Sequence, residues 1–292
     1  KNYEKVWSRK MKCGYVAVLG QPNAGKSSLV NYLVGEEVAI VSHRRQTTRN
    51  SILGIKNGEI DGERYQAIFV DTPGIHHSKN QLDKYMMKNV RSAIAGADVV
   101  LYLFDGSVEM DDEERDYIKM LQEKCEKLIL VKTKNDKKQA QNSLNFEKNI
   151  EISVKTGKNV DLLMKNIANL LPENQPIYDE DLYTDKSISF LISEKIRGYL
   201  LNNLDKEIPH GVAVVVTNFS EDDNLVQIDA DIICEREQHK GIIIGKGGKV
   251  LKNLGQEIRK YVEQLLQKKC VLKLFVRVEQ DWRNKNIQNF GY

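Results

Sequence analysis

The sequence predicts an α/β protein in two successive parts: a larger unit on a mostly parallel sheet, then a smaller α+β unit. Three observations carry that prediction. From Gly14 to Leu171 short apolar runs alternate with segments of helical period, the pattern of parallel strands joined by crossover helices. The rhythm breaks at LPENQPIYDEDLYTD, residues 171–185, which holds two of the five prolines and an acidic cluster and reads as a linker. Beyond it the order becomes helix, strand, strand, helix pair, strand. The expected boundaries are 1–172 for the first domain, 173–186 for the linker and 187–292 for the second, a plausible independent size.

In the first part, YVAVLG (15–20) reads as a buried strand and SSLVNYLVG (27–35) as a helix ended by Gly35. YQAIFVD (65–71) and ADVVLYLFD (97–105) are rich in β-branched and aromatic residues and read as strands. QLDKYMMKNVRSAIAG (81–96) and DEERDYIKMLQEKC (112–125) space their apolar residues at helical intervals. KLILVKTK (127–134) and KNIEISV (148–154) complete the strands, and VDLLMKNIANLL (160–171) is a closing helix. In the second part, KSISFLISEKIRGYLLNNL (186–204) is an amphipathic helix and 210–235 a hairpin around a polar turn. A glycine loop, a helix through about Gln267 and the strand CVLKLFVRV (270–278) follow.

Composition sets the class. Of 292 residues, 41% are hydrophobic and 29% charged, which fits a soluble globular chain with a sizeable core. No apolar run approaches the roughly 20 residues needed to cross a bilayer, and the opening residues do not read as a secretory signal. Cys13, Cys125, Cys234 and Cys270 are scattered without zinc spacing and read as reduced thiols of a cytosolic protein. Net charge is only +3, but it is uneven. Between Lys240 and Arg277 ten Lys or Arg face only Glu257 and Glu263, so a local basic stripe is expected to attract a polyanion.

GQPNAGKS, residues Gly20, Gln21, Pro22, Asn23, Ala24, Gly25, Lys26 and Ser27, matches the phosphate-binding loop G-x-x-x-x-G-K-[ST] between a strand and a helix. The glycines let successive N–H groups curl inward around the α and β phosphates, and the helix start continues that cradle into Ser28. Lys26 reaches the β and γ oxygens, and the Ser27 hydroxyl ligates Mg²⁺. In FVDTPG, Asp71 ends an apolar run and holds the metal through water. Thr72, Pro73, Gly74 and Ile75 follow, with the Gly74 N–H placed to sense the γ phosphate. SHRRQTTRNSILG, between these motifs, has the place of the first switch segment, and either Thr47 or Thr48 closes on Mg²⁺. Where many such enzymes carry a glutamine to orient the attacking water, this chain has Ile75. Turnover is therefore expected to be slow, leaning on Lys26, Mg²⁺ and backbone donors. A potassium ion held by Asn23 is an expected further aid.

The base is read from TKND. Thr133, Lys134, Asn135 and Asp136 stand as a version of N-K-x-D, in which Asp136 accepts two hydrogen bonds from guanine that adenine does not offer. Lys134 lays its stem over the base. Thr133 replaces the usual asparagine and loses its amide donor. Ser153, Val154 and Lys155 form the loop that meets the guanine carbonyl.

IIIGKGGKVLKNL is a glycine loop of another design. Gly245, Lys246, Gly247 and Gly248 give G-x-x-G before a basic helix and without the K-[ST] pair. This is the clamp by which KH domains hold about four nucleotides of an unpaired strand. Ile242, Ile243 and Ile244, with the strand that follows, are expected to form an aliphatic floor for bases, and Lys246, Lys249, Lys252, Arg259 and Lys273 are expected among the phosphate contacts. The closing segment, with Trp282, Arg283, Lys285, Phe290 and Tyr292, either stacks on RNA or packs against its own domain.

Together GQPNAGKS, QTTR, DTPG, TKND, SVK and IIGKGG resemble, over nearly the whole chain, the Era-like family of bacterial ribosome-assembly GTPases. The resemblance implies a P-loop GTPase domain with a mostly parallel sheet followed by an α+β type II KH domain. It further implies GTP and GDP as ligands with Mg²⁺, binding near the 3′ end of small-subunit ribosomal RNA, and help in maturing the small ribosomal subunit. GTP would favour the RNA-competent state and hydrolysis release. A cytoplasmic monomer is expected, with the peripheral contact to the inner membrane that the resemblance adds. Thr133 and Val154 depart from the family's pattern. Three rivals are an RNA-binding protein with an inert nucleotide site, a metabolic ATPase, and a GTPase whose basic stripe meets anionic lipid.

Overall fold

A computed structural model describes residues 10–42, 44, 47–140, 149–205 and 208–292. Residues 1–9, His43, Arg45 and Gln46 of the switch segment, and Lys148 of an expected strand lie outside the described residues. The chain divides into two compact units: Lys1–His77 with Met86–Asp185, and Ser78–Tyr85 with Lys186–Tyr292.

The first unit holds β1 (Met11–Gly20), α1 (Lys26–Val34), β2 (Ile52–Ile60), β3 (Glu63–Asp71), α2 (Gln81–Ala95), whose first turns fall in the other unit, β4 (Val99–Asp105), α3 (Asp112–Lys124), β5 (Leu128–Thr133), β6 (Asn149–Glu151), α4 (Val160–Leu170) and the two-residue β7 (Glu173–Asn174). The sheet order is β2-β3-β1-β4-β5-β6. From β3 to β6 every pairing is parallel. Successive residues of β1 serve opposite faces: Ala17 and Leu19 join a core with Val90 and Ile118, while α1 and α4 cover the other side. Burial on both faces explains why β1, β3 and β4 read as continuous apolar runs. Gly25 starts α1 at φ 94° and Gly35 ends it at φ 90°, both in the left-handed region glycine tolerates.

Two features differ from expectation. The segment around Ile52–Gly54, expected within the switch, begins the antiparallel edge strand β2. Only Ile52, Gly54 and Ile55 of β2 are buried, too few to show an apolar pattern. Asp61 and Gly62, both at positive φ, make the tight turn into β3, and Asp-Gly between two extended segments was the available sign. The expected linker is also docked on the first unit. Gln66 is fully buried; its Oε1 accepts the N–H groups of Ile177 and Tyr178 at 2.8 and 3.0 Å, and its Nε2 donates to the Tyr178 carbonyl at 2.8 Å. The Ile55 N–H donates to the Tyr183 carbonyl at 2.9 Å, so this segment covers the open edge of β2.

The second unit follows the expected order: α5 (Ile188–Asn203), β8 (Ala213–Glu221), β9 (Leu225–Cys234), α6 (Glu237–Ile244), α7 (Lys249–Leu266) and β10 (Lys269–Val278). The sheet order is β10-β9-β8, with β9–β10 parallel and β8–β9 antiparallel. Ser187 caps α5 by accepting the Phe190 N–H at 3.2 Å. Leu254, Ile258 and Val262 form the buried stripe of α7 and join Ile192, Ile196, Ile228 and Ile232 in one core. The opposite face of α7 leaves Lys249, Lys252, Arg259 and Lys260 exposed.

Candidate functional site

β1 ends at Gly20 with φ 144°, and a Cβ there would lie 2.2 Å from the Leu103 carbonyl; only glycine lets the chain turn so close to β4. The loop continues through Asn23 at φ 67° and Gly25 at φ 94°, a curl that turns amides toward one centre. Lys26 is buried, its Nζ donating to the carbonyls of Gly20 and Gln21 at 3.0 Å each. Burial lowers its pKa to about 8 against the pull of Asp71. One cavity runs from Asn23, Lys26 and Ser28 to Thr48, Gly74 and Lys134, so the expected phosphate loop and the lysine expected to cover the base share one space.

Three oxygens converge beside this loop. Ser27 Oγ donates to Asp71 Oδ2 at 2.6 Å and lies 3.0 Å from Thr48 Oγ1. Thr48 Oγ1 donates to the same Asp71 oxygen at 3.3 Å. Thr47 turns elsewhere, donating to the Arg44 carbonyl at 2.7 Å. Of the two threonines left open by the sequence, the structure brings Thr48 to this cluster. Asp71 is fully buried, and desolvation raises its pKa to about 6 despite the bonds from Ser27 and Thr48 and the charge of Lys26. Its Oδ1 is buried with no partner among the described residues, an orphaned acceptor that suits a metal-bound water. The donor set of two hydroxyls and a carboxylate is that of a hard cation such as Mg²⁺.

After Asp71 the chain is held tightly. Thr72 Oγ1 donates to the Val18 carbonyl at 2.7 Å. Gly74 lies against Pro22, where a Cβ would come within 2.9 Å of the Pro22 nitrogen. The Ile75 N–H donates to the Gly20 carbonyl at 3.3 Å, and the Ile75 side chain packs against the core that holds Tyr102 and Val90. Ile75 therefore supplies no polar group to the cavity.

The residues expected to read the base sit at the ends of β5 and β6. Thr133 is buried, its hydroxyl 2.8 Å from the Ala24 carbonyl and 3.1 Å from that of Phe104, which ties β5 to the phosphate loop. Lys134, at φ 58°, donates to Asp105 Oδ2 at 2.5 Å. Burial would raise the Asp105 pKa, but bonds from Lys134 and Ser107 hold it below the usual value. Asn135 faces Glu151 rather than the cavity, at 3.3 Å. Ser153 is buried and donates to Asp136 Oδ1 at 2.7 Å; that bond keeps the exposed Asp136 carboxyl ionised below its ordinary range. Val154 is half-buried and Lys155 exposed on the turn that follows.

In the second unit, Gly245, Gly247 and Gly248 all have positive φ, at 77°, 60° and 76°. A Cβ on Gly245 would lie 2.5 Å from Val250 Cγ2, while Gly247 and Gly248 face open space. Lys246, Lys249, Lys252, Arg259 and Lys273 are exposed. The expected floor needs correction: Ile243 is fully buried in the core, because 242–244 is the last turn of α6 rather than an open turn. Ile242 and Ile244 alone of the three reach the surface. The closing segment packs on its own unit. Trp282 is fully buried with its Nε1 donating to the Gly211 carbonyl at 2.9 Å, and its ring stacks on Tyr292 at 6.0 Å and meets Phe290 at 5.4 Å. Arg283 makes a two-pronged pair with Glu235 at 2.9 and 2.8 Å. Trp282 is thus unavailable to stack on a base.

The sequence matches a family model described as a 50S ribosome-binding GTPase over residues 15–134 and a KH domain model over residues 207–283. It is 40% identical to a GTPase Era of Alkaliphilus metalliredigens, covering 96% of this chain and 99% of that one. It is 42% identical to a GTPase Era of Caldicellulosiruptor saccharolyticus, covering 94% of each. Two solved structures superpose with a TM-score of 0.89 at 35% identity, covering 97% of this chain and 99% of theirs. One is a point variant of Aquifex aeolicus Era bound to GDP.AlF4⁻. The other is an Era in complex with MgGDPNP and nucleotides 1506–1542 of 16S ribosomal RNA.

Proposed function

The chain belongs to the Era family of GTPases, and from that premise we propose that it binds and hydrolyses GTP in its first unit and, in a nucleotide-dependent way, holds the 3′ region of small-subunit ribosomal RNA through the glycine loop of its KH domain, in the service of small-subunit assembly. The RNA assignment is supported by the relative solved with MgGDPNP and a 16S ribosomal RNA segment. The observation that carries the GTPase reading is the convergence of Ser27, Thr48 and Asp71 beside the buried Lys26.

The residues take these parts. Amides from Gly20 to Ser27 cradle the α and β phosphates, and the Lys26 ammonium exchanges its two carbonyl partners for β and γ oxygens. Ser27 and Thr48 hold Mg²⁺ directly and Asp71 through water; the metal supplies charge to the triphosphate oxygens. The Gly74 N–H meets the γ phosphate. Lys134 covers the base, Asp136 accepts the guanine ring N–H and amino group, and Ser153, Val154 and Lys155 approach its carbonyl. Because Ile75 cannot orient water, hydrolysis is slow without further help. Asn23, exposed on the left-handed turn of the loop, would hold a potassium ion that shares that charge. Equal turnover in sodium and potassium buffers would remove this role.

Gly245, Lys246, Gly247 and Gly248 clamp the RNA backbone, with Ile244, Lys249, Lys252, Arg259 and Lys273 in support. The GTPase part ends with the docked 173–185 segment and the KH part begins near Lys186. Four unpaired thiols favour a cytoplasmic setting, where the chain acts as a monomer. No helix among the described residues is long and apolar enough to cross a membrane. Any contact with the inner membrane would be peripheral, through the exposed cations of α7, and vesicle flotation with competing RNA tests it. The central experiment is crosslinking to RNA, with nucleotides identified, in the presence of a GTP analogue and of GDP, alongside multiple-turnover GTP hydrolysis by wild type and Lys26→Ala. Hydrolysis at background in both proteins would favour an RNA-binding protein with an inert site. Cleavage of ATP as readily as GTP, unchanged by Asp136→Ala, would favour an ATPase.

A further inference from the structure

We infer that His76 is a positioning residue of the γ-phosphate sensor, acting through the carbonyl of Gly74. His76 Nδ1 lies 2.7 Å from the Gly74 carbonyl oxygen. A carbonyl only accepts, so Nδ1 must carry the proton. The bond closes a small ring over Ile75 and fixes the plane of the peptide that follows Gly74.

The α carbon of Gly74 presses on Pro22 with no room for a methyl group. The neighbouring Ile75 anchors its N–H to Gly20 and its side chain in the core, and His76 is itself half-buried. The segment thus has an apolar anchor at Ile75 and a polar one at His76. In the sequence, Ile75 marks the place where a polar side chain is missing; the structure puts a polar side chain one residue later, working on the backbone of Gly74. With the Gly74–Ile75 peptide fixed from both its carbonyl and its N–H and the Gly74 α carbon against Pro22, the preceding peptide is restrained too, and the Gly74 N–H meets the γ phosphate without reorganising at the moment of binding, which is how a fixed donor gains over a mobile one.

The inference rests on Gly74 as sensor, so the test includes Gly74→Ala. Affinities for a GTP analogue and for GDP, and the single-turnover rate of GTP cleavage, are measured for wild type, His76→Ala, His76→Asn and Gly74→Ala, with thermal unfolding to show that each is folded. Asn carries a donor at the same distance from Cβ as Nδ1. Expected is a loss of about tenfold in the preference for the GTP analogue over GDP, and in rate, for His76→Ala, the size of one well-made hydrogen bond. GDP affinity should stay unchanged, and Asn should restore most of the loss. If Gly74→Ala loses the preference and His76→Ala keeps it, the His76 role is wrong and the sensor reading survives. If Gly74→Ala keeps it, the sensor reading itself fails and takes this role with it. Equal loss in Ala and Asn, or an equal loss of GDP affinity, marks a merely structural histidine and overturns the inference.

Discussion

The hydroxyl of Thr133 donates to the carbonyl of Ala24 at 2.8 Å across 109 residues of sequence. The residue that opens TKND, the proposed base-reading motif, is thereby tied to the phosphate loop, and the same hydroxyl reaches the Phe104 carbonyl at 3.1 Å. The sequence suggested that threonine forfeits something here by lacking an amide. The structure shows its hydroxyl making a tether of its own.

Thr133→Val, which keeps the shape and removes the hydroxyl, should leave the buried Ala24 carbonyl without its donor. The expected loss is about 1–2 kcal/mol of stability, with a parallel weakening of GDP binding, measured by chemical denaturation and calorimetry. Thr133→Ser should recover most of both. A valine variant as stable and as tight as wild type would show that the tether has no energetic weight.

The neighbouring threonines should separate cleanly. Thr48 touches Ser27 and Asp71, whereas Thr47 binds the Arg44 carbonyl. Thr48→Ala should lower Mg²⁺-dependent binding of a GTP analogue by tenfold or more, roughly the value of a hydrogen bond to a charged group, and leave GDP nearly untouched. Thr47→Ala should stay within about threefold for both ligands. The reverse ranking would mean that the segment rearranges when it closes on nucleotide.

The phosphate site should also show a pH window in kcat/KM for GTP, which reports the free protein. Asp71 has a raised pKa of about 6; it must be ionised to hold a metal-bound water, so activity should fall as pH drops through that value. Lys26 has a lowered pKa of about 8; it must be protonated to meet phosphate, so activity should fall as pH rises through it. A flat profile from about pH 5 to 9 would contradict both.

Much of this site was legible because its motifs encode backbone geometry: Gly20, Gly25 and Gly245 stand where no Cβ fits or where φ is positive. What stayed hidden depends on partners distant in sequence. Nothing local distinguishes Thr47 from Thr48, since the choice is made by Asp71, far along the chain. Ile243 looked available because three isoleucines in a row carry no helical period; placed on α6, only one of them points into the core. β2 was missed because its outer positions are polar, though its Asp61-Gly62 turn was visible. Trp282 could not be assigned until β8 and the Gly211 carbonyl beside it were in place.

Gln66 shows the same lesson for the linker. A lone glutamine inside YQAIFVD gave no sign of purpose, yet it holds Ile177 and Tyr178 through three hydrogen bonds from a fully buried position. Gln66→Leu should strand those backbone groups and cost roughly 2–4 kcal/mol. Hydrogen exchange should rise specifically over 173–185. Unchanged protection there would mean that the pairing of Ile55 with Tyr183 holds the segment without Gln66.

The glycines of the proposed RNA loop are not equivalent, and that difference makes its RNA role testable without unfolding the domain. Gly245→Ala would drive a Cβ into Val250 at 2.5 Å and strain a residue at φ 77°, so it should cost about 1–3 kcal/mol of stability and say little about RNA. Gly247 sits at φ 60° with nothing within 4 Å of a Cβ position. Asparagine tolerates that conformation better than most residues, so Gly247→Asn should fold normally while placing a side chain where the sugar-phosphate must approach. Its affinity for a single-stranded oligonucleotide should drop by tenfold or more, as expected when close backbone approach is blocked. Lys246→Ala and Lys249→Ala should each instead reduce the salt dependence, by about 0.7 in the slope of log K against log salt. Should Gly247→Asn bind RNA as tightly as wild type, the strand does not pass over this loop, and the exposed cations of α7 would have to hold it alone.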